Sequence, residues 1–413
     1  MFNDTRLNGE HGTDRQSPRL ETTFSMALLA VAYFFYLWLS TPAAPGREYP
    51  LGWYGGVDQG FYLLMAQSIA KFELPAKVYF YGPGYPILAA PFVNIFPYDP
   101  FLIPNVVLWT VYVVAWTYSF SLFLPSRDAT FASLLLIFAT PVVEYFVFPW
   151  NSSVTAVSLA LLVLIAASRS SKTPGVKEGI AAGALLGWTL SARYVDILFI
   201  APVALAMLLR TDRTGTRRVD PLLMSIVILG GFATCLLASQ AIAFGSPFLT
   251  PYSFHINIYT GIADADVRSY QLSKILPTFI SNFLFHPFDM FYHPLDAPLL
   301  GQFFLFIVAP FALLGVFRRR EQKQKETQKK REKREEKKQL VVLLICGLGL
   351  AATFYSSFTG VEVTGGSLKY QFLHYSQPWY PLLVLVSVIG FQQLTLAVGT
   401  LLKECRTKVW RSS

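Results

Sequence analysis

Long apolar runs alternate with short polar segments along most of the chain. Ten runs approach or reach the roughly 20 residues that cross a bilayer. They lie at about 24–40, 101–121, 131–148, 152–168, 179–191, 194–209, 221–243, 299–317, 340–355 and 380–402. Apolar positions inside them are continuous rather than alternating, which predicts helices and argues against a β-barrel. The runs at 179–191 and 194–209 are short for an untilted crossing. They are read as a hairpin, because the segments before and after the pair are both basic. The predicted class is an all-α polytopic membrane protein of about ten transmembrane helices. It places a helical domain at 24–402 between a tail at 1–23 and a tail at 403–413.

The pattern changes in three long segments, 41–100, 244–298 and 356–379, which are rich in aromatics, Pro and Gly. In the first of them Phe61, Leu64, Met65, Ser68, Ile69 and Phe72 recur at helical spacing, while Gln59, Tyr62 and Gln67 fall mostly elsewhere. This predicts a short helix lying in the membrane interface. Asp58 stands at its head, either as an N-cap or as a carboxylate held at the membrane surface. A Pro- and Gly-rich turn follows, carrying Tyr79, Tyr81 and Tyr85. Val267 to Phe285 predicts a second interfacial helix, headed by Asp264 and Asp266 and kinked at Pro277.

Charge fixes a topology for this pattern. Of 413 residues, 53% are apolar and 14% charged, well below the usual quarter of a soluble domain. Placing the tails and the basic loops on one side gathers 27 Lys and Arg there against 14 Asp and Glu. The remaining segments hold seven basic and 11 acidic residues. The basic side, including the run 318–339, is expected to be cytoplasmic, with both termini there and the three long segments outside. The net charge of +9 is therefore a topology signal, and no nucleic acid partner is expected. No secretory signal precedes the first run, which reads as an uncleaved anchor. Cys235 and Cys346 lie in apolar runs and Cys405 in the tail, so no disulfide staples the long segments.

The order of motifs resembles the GT-C class of membrane glycosyltransferases. The likeness is to the dolichyl-phosphate-mannose–protein mannosyltransferase type and to bacterial lipid A aminoarabinose transferases. It rests on Asp58-Gln59-Gly60-Phe61-Tyr62 after the first span and on the turn Tyr79 to Phe92. It rests also on Gly183 to Tyr194, on Phe244-Gly245-Ser246-Pro247-Phe248, and on Lys369 to His374 before the last span. The resemblance implies a polyprenyl-phosphate-linked sugar as donor and a protein, lipid or glycan acceptor reached from the outer face. It implies Asp58 as general base toward the acceptor hydroxyl. Arg193 and Lys369, at the outer membrane boundary, become candidates for the phosphate of the leaving lipid. Tyr62, Tyr81, Tyr85 and His374 are further donors to the substrate. Two positions depart from the family pattern. Gln59 stands where mannosyltransferases carry a second acid, and Asn151 stands where relatives carry an acid after the third span, with Glu144 nearby to compensate.

Other constellations are weaker. His286, Asp289, His293 and Asp296 offer metal-ligand chemistry, but prolines interrupt their spacing and a hydrogen-bonded outer turn reads as well. No cofactor is fixed, and a divalent cation is compatible with a phosphate-bearing donor. Asn151-Ser152-Ser153 fits a glycosylation tripeptide close against the membrane. No phosphate-binding loop, zinc-protease helix or nucleophile elbow is present, and no alternating strand–helix region supports a nucleotide-sugar donor. The expected location is the plasma membrane. Two rival readings remain: a multi-pass transporter or lipid flippase, and a non-catalytic subunit of a glycan-assembly complex.

Overall fold

A computed structural model describes residues 17–40, 57–138, 140–168, 173–209, 219–249 and eight positions between 380 and 395. The described residues form helices and turns and no strand. The helices are α1 (Ser17–Ser40), α2 (Val57–Ala70), α3 (Pro86–Ala89), α4 (Leu102–Phe123), α5 (Ser126–Ile137), α6 (Thr140–Val147), α7 (Ser152–Ser168), α8 (Val176–Ala192), α9 (Ile197–Leu208) and α10 (Asp220–Phe244). The runs expected at 299–317 and 340–355, the basic stretch 318–339 and most of 380–402 lie outside the described residues. So do residues 250–298 and 356–379 of the long segments.

Among the described residues, three helices are long and apolar enough to cross a membrane: Leu20–Ser40, Leu102–Phe123 and Asp220–Phe244. The run expected at 131–148 is instead two helices, α5 and α6. Pro141 has no N–H to offer the carbonyl of Ile137, so one helical ladder cannot pass through it. The expected hairpin is present, with α8 and α9 packed on each other across a tight turn at Tyr194–Asp196.

Burial sorts the helices into an inner and an outer set. α7 is buried on nearly all sides, as a helix apolar all round must be, and packs against α4, α8 and α9. α1 and α10 lie outside and leave apolar side chains uncovered, among them Leu20, Phe24, Leu28 and Leu39 on α1 and Leu223, Ile226 and Val227 on α10. Such faces suit a lipid surround rather than water.

α8 and α10 run parallel along a glycine seam. Gly179, Gly183 and Gly187 recur once per turn and meet Pro221, Ser225 and Phe232 in order. A Cβ on Gly183 would stand 2.6 Å from the Ser225 carbonyl oxygen, so only glycine lets the two backbones approach this closely.

Side-chain bonds tie the helix ends together at one end of the bundle. Trp38 at the close of α1 donates its Nε1–H to Asp99, just before α4, at 2.9 Å. Asn151, before α7, donates to the Ala192 carbonyl at the close of α8 at 3.3 Å. The opposite end carries Arg127 at the start of α5 and Lys177 at the start of α8.

α2 buries Phe61 and Met65 of its expected face and more of its surface besides. Its buried stripe is Gln59, Tyr62, Leu63 and Ala66, flanked by Phe61 and Met65. Phe72, expected on the apolar face, is fully exposed and lies beyond the helix with φ 58°. It occupies the left-handed position of a C-terminal stop, where the Glu73 N–H reaches back to the Ser68 carbonyl at 2.9 Å. The reason for the wider burial is tertiary. The helix is covered by the aromatic turn that follows it, so Tyr62 packs inward against Tyr81 and Tyr85.

Candidate active site

Asp58 sits in the first turn of α2, half-buried. The Tyr81 hydroxyl bonds its carboxylate, and the Arg193 guanidinium acts on it electrostatically. Both pull its pKa down, but burial outweighs them and holds it above the ordinary carboxylate value. Asp58 is therefore a stronger proton acceptor than a solvated aspartate.

The turn that carries Tyr81 is anchored to the end of α8. The Gly84 N–H donates to the Ser191 carbonyl at 2.9 Å. The Trp188 indole N–H donates to the Gly84 carbonyl at 2.9 Å. Gly82 and Gly84 both lie hard against the Ser191–Ala192 backbone, with no room for a Cβ. Glycine is required here by close approach. A second anchor lies four residues ahead of the turn's centre. The Tyr79 hydroxyl and Ser239 Oγ are 2.6 Å apart, and the Tyr79 ring meets Phe244 edge-on at 5.2 Å. Burial pushes the Tyr79 phenol up to about 12.

Arg193 follows α8 directly. Its backbone is extended, with φ −148°, so the chain leaves the helix here. Its Nη1 lies 3.5 Å from Asp196 Oδ2, and that same buried oxygen accepts the Thr155 hydroxyl at 2.6 Å. Polar contacts thus run from α7 to the α8–α9 corner, and from there the Arg193 charge acts on Asp58 in α2.

The structure distributes the sequence candidates over several roles. Asp58 and Tyr81 come together, and Arg193, far off in the chain, lies within electrostatic reach of Asp58. Tyr62 is buried beneath Tyr81, with ring centroids 4.9 Å apart. Tyr85 is a core member. Its hydroxyl donates to Asn105 at 2.8 Å and burial holds its phenol well above the usual range. Asn151 holds the end of α8 through Ala192. Glu144 stands half-buried on α6, a helix that packs against α1, α4, α5 and α7. Lys369, His374, His286, Asp289, His293 and Asp296 lie outside the described residues. Among the described residues, no group of three or more His, Cys, Asp or Glu side chains gathers as a metal site.

Asp196, Thr155 and Asp99 are the residues that reading by motif passed over. Asp196 carried a signal: a lone acid inside the apolar run Tyr194 to Ala201 needs a partner there. Thr155 and the Ser191 carbonyl carried none.

What the arrangement offers chemically is a basic carboxylate, a phenol bonded to it, and a guanidinium whose field reaches it. A proton can be accepted on one side and an anion stabilised on the other. No family model matches the chain, and no curated protein matches it.

Proposed function

We propose that the chain is an integral membrane glycosyltransferase of the GT-C kind. It takes a sugar from a polyprenyl phosphate and passes it to an acceptor on the outer face of the membrane. The observation that carries this reading is the Tyr81 hydroxyl bonded to Asp58 at one end of a helical bundle, with Arg193 in electrostatic reach and burial keeping Asp58 basic.

In this reading the acceptor hydroxyl loses its proton to the Asp58 carboxylate as its oxygen bonds to the anomeric carbon. The bond from that carbon to the phosphate oxygen breaks, and the lipid phosphate leaves with the electron pair. Arg193 stabilises the charge that develops on it. The products are the glycoside, inverted at the anomeric centre, the polyprenyl phosphate and a protonated Asp58. The topology that goes with this has ten crossings, both termini cytoplasmic, and the Asp58 end of the bundle facing out of the plasma membrane. It is supported by the basic residues at the opposite end, Arg127 and Lys177 among them.

The test is mass spectrometry of polyprenyl-phosphate sugars in cells lacking the chain. The donor should accumulate, the wild-type chain should clear it, and Asp58→Asn at equal membrane abundance should not. Clearance by Asp58→Asn would remove Asp58 from the base role. Accumulation confined to the inner leaflet would point to a flippase instead.

A further inference from the structure

The structure assigns Asp196, held by Thr155, as the positioning residue that fixes the Arg193 guanidinium at the site. Arg193 is the residue at which the chain leaves α8, and an arginine there has a long side chain with many rotamers. The contact that orients it is with a buried carboxylate three residues on, at 3.5 Å across the corner between α8 and α9. Asp196 cannot swing freely. Its Oδ2 accepts the Thr155 hydroxyl at 2.6 Å, and Thr155 belongs to the fully packed helix α7. The Asp196 backbone is tied as well, its N–H donating to the Arg193 carbonyl at 3.0 Å. The guanidinium is therefore referenced to the most buried helix of the bundle. A charge pair of this kind is screened little, because water reaches Asp196 hardly at all.

What the held guanidinium does for a phosphate rests on the transferase reading. Its position does not, and the experiment separates the two. Full-length protein in membranes is treated with an apolar carbodiimide over a pH series. Mass spectrometry of the peptide bearing Asp58 gives the pH at which labelling falls by half, which tracks protonation of that carboxyl. Arg193→Gln removes the pull of the guanidinium and moves the midpoint to higher pH. Asp196→Asn, if Asp196 positions Arg193, moves it in the same direction, and the double variant moves it no further than Arg193→Gln alone. Asp196→Glu restores part of the shift. Thr155→Val keeps the charge, moves the midpoint up by less, and carries the test should Asp196→Asn fail to accumulate. An unmoved midpoint in Asp196→Asn and Thr155→Val overturns the assignment. So does a midpoint moved to lower pH, which is what simple loss of a nearby negative charge would give. Shifted midpoints in a chain that clears no polyprenyl-phosphate sugar leave the positioning role standing and refute the transferase reading.

Discussion

Gly84→Ala is the substitution whose cost can be worked most directly from the structure. A Cβ at this position would lie 2.7 Å from both the backbone nitrogen of Ala192 and the carbonyl carbon of Ser191, and against Ser191 Oγ as well. Ordinary contact begins at 3.4 Å, so the turn must retreat from α8 by about 0.7 Å or more. Ser191 Oγ can rotate, but the two backbone atoms belong to a helix end and cannot. Overpacking of this kind costs about 1–3 kcal/mol. The retreat also stretches the Gly84–Ser191 and Trp188–Gly84 hydrogen bonds, each worth about 1 kcal/mol net. Together these predict a loss of about 2–4 kcal/mol and a clearly lower melting temperature in detergent. The same displacement carries Tyr81 away from Asp58 and Arg193, and misplacement by about 1 Å can cost 10²-fold in rate. Donor clearance should therefore slow by about that factor. Gly230→Ala is the matched control, because nothing lies within 4 Å of the added Cβ. It should keep full activity and melt no earlier, alanine being the better helix former. The reasoning fails if Gly84→Ala is as active and as heat-stable as the wild type, or if Gly230→Ala loses as much.

Three further outcomes are expected. Gly183→Ala should open the α8–α10 seam and cost about 1–3 kcal/mol, read as earlier melting, because its Cβ meets the Ser225 backbone. Tyr85→Phe should cost about 1–3 kcal/mol by leaving the buried Asn105 oxygen without its donor. If Tyr85 is a core residue rather than a substrate donor, turnover per folded molecule should stay close to wild type. Asp58 gives a pH dependence of defined sign. Its folded pKa is raised by burial, so the folded state holds the proton more tightly than the unfolded state. Its stabilising contribution is complete below the ordinary carboxylate value and is lost as pH rises through the raised one. At neutral pH the ionised carboxylate is a net cost. Asp58→Asn should then melt no lower than wild type, and its advantage should vanish on acidification.

How much of this the sequence discloses differs from element to element. The α7 boundaries match the apolar run at 152–168, because every position there is apolar or small and the helix is buried all round. Where burial is one-sided, neighbours decide. Tyr62 reads as polar by its hydroxyl, yet the turn at 81–85 covers it and so buries that side of α2 as well. Phe72 continues the helical period, but the helix stops at Ala70 and Phe72 itself takes a left-handed turn that the period does not encode. Pro141 splits the run at 131–148 into α5 and α6, a break that counting apolar positions does not register. At the site, Asp58, Tyr81 and Arg193 each stand out by type and place. Their convergence depends on Gly82 and Gly84 packing against Ser191, more than a hundred residues away, and nothing local announces that contact. Asp196 was visible as an acid in an apolar run, but its partner Thr155 is one threonine among many.

The turn from Tyr79 to Gly84 is fastened at both ends to different helices, at Ser239 on α10 and at Ser191 on α8. Those two helices are themselves zipped along their glycines, so turn, α8 and α10 make a braced triangle that carries both the phenol and the cation. Asp58 rides on a separate strut, α2, which meets the triangle through aromatic rings and the Tyr81 hydroxyl. Parting α2 from this triangle would separate Asp58 from Tyr81 while leaving the glycine seam intact. How the acid stands to the phenol and the cation is therefore set by the seating of α2 on the triangle and not by the seam.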